Sequence, residues 1–272
     1  MQLDQINYAP LEEFNRFKIG GKQFNSGLLS IIFFGLGLLC IYLKGKFIIL
    51  GLSFVAISAV IYFIQSRKNK QYWRNFAAAN SWQILSSQDG KNSLPACLVG
   101  EGHSHSSSEL ITGNINNRSF NLHSYTYKTG YGKTEQTHET TIIAFSYPQI
   151  TNHMLLAHDG IFADAYKVFD GGQKLDLEGD FNKKFTFYVQ QGSEVDSLQI
   201  ITPDIMQVLV KEDFEYNVEF RNGWIFFCVF GDQRSPKLLK IFFKNALDTI
   251  DELQKNYVLE HPAANPQPVS TT

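Results

Sequence analysis

The chain has 272 residues, of which 44% are hydrophobic and 18% are charged, and its formal net charge at pH 7 is −2. This near balance of charge excludes the strongly basic surface that nucleic-acid binding needs, so we expect no nucleic-acid partner. The three cysteines lack the spacing of a disulfide framework, which excludes a small disulfide-stapled fold.

Two apolar runs, over 26–43 and 47–64, follow a polar N-terminal segment of residues 1–25. Each run has 18 residues and no charged side chain. A helix of that length spans about 27 Å, close to the hydrocarbon core of about 30 Å in a bilayer. Because only Lys44 to Lys46 separate the runs, the helices must be neighbours. The sequence predicts a transmembrane hairpin, with the lipid bilayer as a partner.

Basic residues in the short flanks of the hairpin predict its orientation. Arg16, Lys18 and Lys22 precede it, Arg67, Lys68, Lys70 and Arg74 follow it, and only Lys44 and Lys46 lie in the turn. By the positive-inside rule, both termini and the domain that follows are expected to be cytoplasmic.

The segment from 71 to 257 is long enough for one soluble domain with a substantial core. Leu110–Ile115 and Arg118–Tyr127 are predicted to form a hairpin, because Asn116 and Asn117 tolerate the positive φ of a tight turn. Further strands are predicted over Thr140–Tyr147, Ile161–Phe169, Phe185–Val189 and a Tyr216–Phe230 segment that breaks at Asn222–Gly223.

Two helices are predicted after most of these strands. Thr202 supplies a capping hydroxyl before Pro203 and Asp204, which start a short helix. A longer helix begins after Ser235 and carries an apolar stripe for packing on the sheet, formed by Leu239, Phe242, Phe243, Ala246, Ile250 and Leu253. The fold class is therefore a membrane-anchored α+β protein with a largely antiparallel sheet and a C-terminal packing helix. Residues 261–272 are predicted to be a disordered tail.

Two motif fragments fail on inspection. Gly132-Lys133-Thr134 ends like a phosphate-binding loop, but Tyr127 stands where that motif needs glycine, and the setting is a strand hairpin. His138-Glu139 begins like a zinc-protease helix, but Ile142 stands where the second histidine is required.

Four histidines form the candidate metal site of the sequence. His103 and His105 would point to one side of an extended chain, and His123 and His138 lie on strands that the hairpin could bring near them. Four imidazoles could hold a zinc ion.

The same hairpin carries a candidate interaction surface with three tyrosines and two lysines. These are Tyr125, Tyr127, Lys128, Tyr131 and Lys133. Aromatic residues are favoured at interfaces, so this surface could bind a protein partner or lipid headgroups. Cross-strand packing of the tyrosines is the other explanation of the pattern.

Three segments carry a resemblance to a known family. Leu177–Phe181, Phe185–Val189 and Ile200–Met206 resemble an uncharacterised bacterial membrane-protein family known only as a domain of unknown function, with a two-helix membrane anchor and a soluble α+β domain. The resemblance implies a two-pass protein of the bacterial inner membrane and brings no active site.

The sequence therefore favours a membrane-tethered, non-enzymatic interaction or scaffold domain at the cytoplasmic membrane face, with no catalytic residue and no cofactor. The alternative is a metal-dependent, membrane-anchored enzyme that uses zinc bound by His103, His105, His123 and His138.

Overall fold

The computed structural model describes residues 1–12, 16–19, 22–42, 47–86, 95, 102–158, 172–177, 179–231, 233 and 235–260. The chain divides into two compact units. The helical unit comprises Gln5–Ile84 and Arg234–Pro236, and the sheet unit comprises Met1–Asp4, Leu85–Gln233 and Lys237–Thr272. The Lys44–Lys46 turn, the Ile161–Phe169 strand and the 261–272 tail that the sequence predicts lie outside the described residues.

The helical unit is built around two helices that pack against each other. Its elements are α1 (Ala9–Glu12), the antiparallel pair β1 (Arg16–Ile19) and β2 (Lys22–Asn25), α2 (Ser26–Tyr42) and α3 (Phe47–Ala79). The rings of Phe33 and Phe54 meet across the two helices with their centroids 5.8 Å apart. Gly37 lies so close to α3 that a Cβ atom there would stand 2.8 Å from Val55 Cγ2.

The predicted transmembrane hairpin is wrong. Within the described residues, none of the helices combines the length and the apolar character that crossing a membrane demands. The first run forms a helix of 17 residues, about 26 Å long, and the second run is only the first part of a 33-residue helix that continues into polar sequence. The predicted two-pass placement in the bacterial inner membrane depended on this hairpin and is therefore wrong as well. The cytoplasmic side assigned to both termini and the domain depended on the same hairpin and loses its support.

The end of α3 is tied to the N-terminal segment by one buried amide. Asn80 Nδ2 donates to the carbonyl oxygens of Phe76 and Asn7, at 2.9 and 3.1 Å, and the Asn7 N–H donates to Asn80 Oδ1 at 2.7 Å. Ser81 then takes a left-handed conformation with φ +57°, and the Trp82 N–H donates to the Ala77 carbonyl at 2.9 Å. This is the hydrogen-bond pattern of a Schellman helix end.

The sheet unit contains an antiparallel sheet. Its strands are β4 (His103–Ser107), β5 (Leu110–Ile115), β6 (Arg118–Thr129), β7 (Gln136–Ser146), β8 (Met154–His158), β9 (Gln173–Leu175), β10 (Phe185–Val189), β11 (Asn217–Arg221) and β12 (Trp224–Phe230), and a short strand β3 (Gln83–Leu85) precedes them. Their order is β5-β6-β7-β12-β11-β8-β10-β9, and β4 pairs with the second half of β6. The Asn116–Asn117 and Asn222–Gly223 turns are confirmed, with positive φ at all four residues.

Within the described residues, four helices complete the unit: α4 (Phe181–Lys184), α5 (Glu194–Ile200), α6 (Pro203–Leu209) and α7 (Pro236–Glu260). Strand register places one row of buried side chains across six strands, namely Phe120, Phe145, Ile225, Phe220, Met154 and Val189. The Phe243 ring of α7 meets Phe120 edge-on at 5.6 Å, and all six residues of the predicted apolar stripe are buried. The packing of the C-terminal helix on the sheet is therefore confirmed.

Candidate functional site

The β6–β7 hairpin extends beyond the packed centre of the sheet and ends in a tightly held tip. Gly130 has φ +70°, and a Cβ atom there would stand 2.5 Å from the Thr134 carbonyl oxygen, so only glycine fits. The Gly-Lys-Thr fragment forms a single 3-10 turn (Gly132–Thr134), in which Thr134 Oγ1 donates to the Tyr131 carbonyl at 3.0 Å. Lys128 Nζ pairs with Glu135 Oε1 at 2.7 Å across the base of the tip. The tip is thus held in one shape by its own contacts.

Three histidine–tyrosine pairs line this end of the sheet. The His103 and Tyr131 rings stack with centroids 4.6 Å apart and planes 9° from parallel. Tyr127 stacks on His138 at 4.9 Å, with planes 18° apart. The third pair joins His105 of β4 to β6, where Tyr125 Oη lies 2.7 Å from His105 Nδ1. We call these six residues the His–Tyr patch.

Further hydrogen bonds occupy nitrogens of the patch histidines. His103 Nε2 lies 2.8 Å from the Gly130 carbonyl oxygen, and its Nδ1 lies 3.0 Å from Ser104 Oγ. His138 Nε2 lies 2.8 Å from Thr129 Oγ1. These bonds hold the rings in place.

His123, the fourth candidate ligand, stands apart from the other three. It is 1% exposed, and neither ring nitrogen has a hydrogen-bond partner among the described residues. Burial lowers its pKa to about 4, so the ring is neutral at physiological pH. Its cross-strand neighbour is Ile142, which belongs to a buried apolar cluster with Cys228.

The structure does not assemble the predicted zinc ligands. Across the described ranges, it contains no group of three or more His, Cys, Asp or Glu side chains placed to hold a metal ion. His103, His105 and His138 each pair with a different tyrosine, and His123 is buried opposite Ile142.

The predicted interaction surface divides into a buried and an exposed part. Tyr125 and Tyr127 are buried, so they follow the cross-strand packing that the sequence left open. Tyr131 is 77% exposed, Lys133 beside it is exposed, and the charge of Lys128 is balanced by Glu135. The accessible part of the surface is therefore the Tyr131–Lys133 tip together with the edges of the three histidines.

A second surface lies on the helical unit, where large apolar side chains face outward on both helices. Those on α2 are Ile31, Ile32, Phe34, Leu36, Leu38 and Leu39, and those on α3 include Ile48, Ile49, Leu50, Leu52, Ile57, Val60 and Phe63. We call this set the apolar helix surface. Patches of this extent mark interaction sites.

Sequence reasoning missed a cleft beside the C-terminal helix. It is lined by residues of the loop after β7, of α5 and of the last turns of α7. Its lining comes from segments about 50 residues apart, and single amides such as Asn152 and Gln199 carry no local motif. Only the folded arrangement identifies it.

No family model and no curated protein matches the chain. Among solved structures it is similar to the crystal structure of the mycobacterial trehalose monomycolate transport factor A, TtfA, with 9% identity over 69% of this chain and 91% of that one, at a TM-score of 0.45. The predicted membership of a family of unknown function stays a prediction.

Proposed function

We propose that this protein is a non-enzymatic interaction domain that attaches to lipid through the apolar helix surface and binds a protein partner through the His–Tyr patch. The observation that carries the proposal is the number of large apolar side chains that both helices expose. Leaving them in water is unfavourable, since fully burying one such side chain contributes about 1.5–3 kcal/mol.

The distribution of these side chains favours lipid as the covering partner. On α2, positions 31, 32, 34, 36, 38 and 39 are all exposed, and Phe33 and Gly37 form the strip that meets α3. A protein groove covers one side of a helix and selects positions three and four residues apart. Lipid acyl chains have no such preference and cover an apolar helix on every free side. This contact does not require either helix to cross a bilayer.

Vesicle flotation tests the lipid contact. Purified protein is mixed with vesicles of phosphatidylcholine and phosphatidylglycerol, and its partition coefficient is measured over a lipid titration. In the double variant Ile31→Ser, Ile49→Ser, two side chains that are 71% and 80% exposed lose their apolar surface. At about 1.5 kcal/mol or more each, the partition coefficient should fall about 100-fold.

The matched control changes two exposed apolar residues of the sheet unit, Val195 and Leu198, to serine. This variant should float like the wild-type protein. A wild-type protein that stays at the bottom of the gradient, or equal losses in the two double variants, would contradict the proposal.

The protein-binding part of the proposal depends on the tip of the hairpin. Tyr131 is exposed, yet it is held flat against His103, and a rigid aromatic side chain is a frequent energetic centre of an interface. Tyr131→Ala should weaken partner binding by about 2 kcal/mol or more, which is about 30-fold. Co-purification from the native host, with Lys237→Ala as an exposed control, measures this. A partner that is retained equally by both variants would show that the tip is not the binding site.

A further inference from the structure

The cleft beside the C-terminal helix has the size and shape of a small-molecule site. Its volume is about 340 Å³, at the lower end of the range of such sites. It is lined by loop residues between Tyr147 and Asn152, by Asp196, Gln199 and Ile200 of α5, and by Leu253, Asn256 and Tyr257 of α7. All of these residues lie in the sheet unit.

The loop wall is built before any ligand arrives. The Tyr147 N–H donates to the Gly223 carbonyl at 2.7 Å, and the Gly223 N–H donates back to the Ile150 carbonyl at 3.1 Å. Asn256 Nδ2 donates to Thr202 Oγ1 at 2.8 Å, so Thr202 binds α7. Its side chain makes no capping hydrogen bond to α6, so the cap that the sequence predicted is wrong. This bond leaves the carbonyl oxygen of the Asn256 amide for another donor. A preformed wall lowers the entropic cost of binding.

Tyr147 is the most telling residue of the cleft. Its side chain is buried, with the residue only 3% exposed, and its hydroxyl has no hydrogen-bond partner within the described part of the chain. Burial raises the pKa of Tyr147 to about 12, so the hydroxyl keeps its proton and can both donate and accept. A buried hydroxyl without a partner is unfavourable. Because this hydroxyl is itself buried, a ligand in the cleft would reach it by displacing a neighbouring side chain.

The rest of the lining is polar but almost uncharged. The amide side chains of Gln149, Asn152 and Gln199 line the cleft, and each offers donors and an acceptor. Among the described residues that line the cleft, Asp196 is the only acidic one, and there is no lysine, arginine or histidine. Ile150, Ile200 and Leu253 supply an apolar wall. The described lining contains no cation, and Arg118, which acts electrostatically on Tyr147, is paired with Asp251, so phosphate, sulfate and carboxylate ligands are disfavoured.

We propose that this cleft binds a neutral sugar. Neighbouring hydroxyls of a sugar donate and accept at once, which suits amide side chains, a phenol and one carboxylate, and the C–H face of a pyranose ring suits the aliphatic wall. An extended peptide shares some of this chemistry, but it needs a longer groove than about 340 Å³ provides. The inference goes beyond the proposed function and does not depend on lipid or protein binding, because no residue of the apolar helix surface or the His–Tyr patch takes part.

Ligand titration of the full-length protein tests the site. Glucose, galactose, mannose, maltose, lactose and sucrose are titrated by saturation-transfer NMR, and acetyl-triglycine amide is the peptide probe. We expect at least one sugar to bind. Tyr147→Phe should weaken that sugar about two- to tenfold, the effect of losing one neutral hydrogen bond. Asn152→Ala and Gln199→Ala should each do the same, whereas Gln136→Ala, an exposed amide outside the cleft, should have no effect.

Tyr147→Phe also separates binding from folding. Because the hydroxyl has no hydrogen-bond partner among the described residues, its removal should leave the unfolding temperature unchanged or raised while sugar affinity falls. Failure of all six sugars, binding of the peptide probe alone, or sugar binding that survives Tyr147→Phe and Asn152→Ala unchanged would overturn the proposal.

Discussion

Substitution by alanine should have opposite effects on stability at Gly35 and Gly37, two glycines of α2 that lie two residues apart. A Cβ atom at Gly37 would lie 2.8 Å from Val55 Cγ2 and 3.0 Å from the Gly51 carbonyl oxygen, both on α3. Valine is stiff at its first side-chain torsion and the carbonyl belongs to the helix backbone, so neither neighbour can give way easily. A Cβ atom at Gly35 would meet nothing within 4 Å. Gly35→Ala is thus a matched control for Gly37→Ala.

The magnitudes follow from these contacts. Alanine gains about 0.8–1.0 kcal/mol over glycine inside a helix, and this gain should appear in full for Gly35→Ala. Forcing a methyl group into a close contact costs about 1–3 kcal/mol, so Gly37→Ala should be neutral or destabilising by up to about 2 kcal/mol.

Hydrogen exchange of the α2 amides, read by mass spectrometry, measures the local opening free energy. Between the two variants, exchange rates should differ about fivefold or more, with Gly37→Ala the faster. Equal changes in both variants would refute the close packing of α2 on α3.

Three further substitutions test separate features of the fold. The pKa of His123 is 6.5 in the unfolded state and about 4 in the folded state, so between these pH values only the unfolded state takes up a proton on this ring. The unfolding free energy should therefore fall by about 2 kcal/mol from pH 7 to pH 5. His123→Leu should abolish that loss in denaturant titrations at the two pH values, and a slope equal to wild type would refute it. Ser81→Gly, at φ +57°, should raise the unfolding free energy of the helical unit by about 0.5–1 kcal/mol, and a lower melting temperature would count against this. Asn80→Ala leaves polar groups of Asn7 and Phe76 without their partner, so it should lower the unfolding free energy by about 1–3 kcal/mol and speed proteolysis of the N-terminal segment. Cleavage at the wild-type rate would show that Asn80 does not hold the N-terminal segment on α3.

The sheet unit was predicted well wherever the sequence signal comes from residues close together in the chain. Asn116–Asn117 and Asn222–Gly223 have side chains suited to positive φ, so the two hairpins could be read from four residues. Phe185–Val189 has the predicted bounds because it alternates buried and half-buried residues. The stripe of α7 was readable for the same reason, since its period is that of a helix.

Elements without such a period were missed. β8 (Met154–His158) is buried at all five positions, so it shows no alternation and is too short to separate from a helix by sequence. β4 (His103–Ser107) consists entirely of serine and histidine, and its pairing with β6 determines its conformation. The transmembrane prediction was wrong for a related reason. It counted consecutive apolar residues, whereas a helix that crosses a membrane must also be long enough, and α2 ends at Tyr42 after 17 residues.

The candidate site shows the limit of residue type as evidence. Histidines at 103, 105 and 138 do gather at one end of the sheet, as the hairpin suggested, but the ring that meets each of them is a tyrosine. Sequence separation hides this arrangement, because Tyr131 lies 28 residues from His103 and reaches it only through the left-handed turn at Gly130. A stacked tyrosine holds the imidazole plane and covers one of its faces, which suits an interface that needs rigid aromatic side chains and leaves no shared point where three imidazoles could meet a metal. The tyrosines that the sequence offered as partner contacts are therefore also the residues that keep the histidines apart.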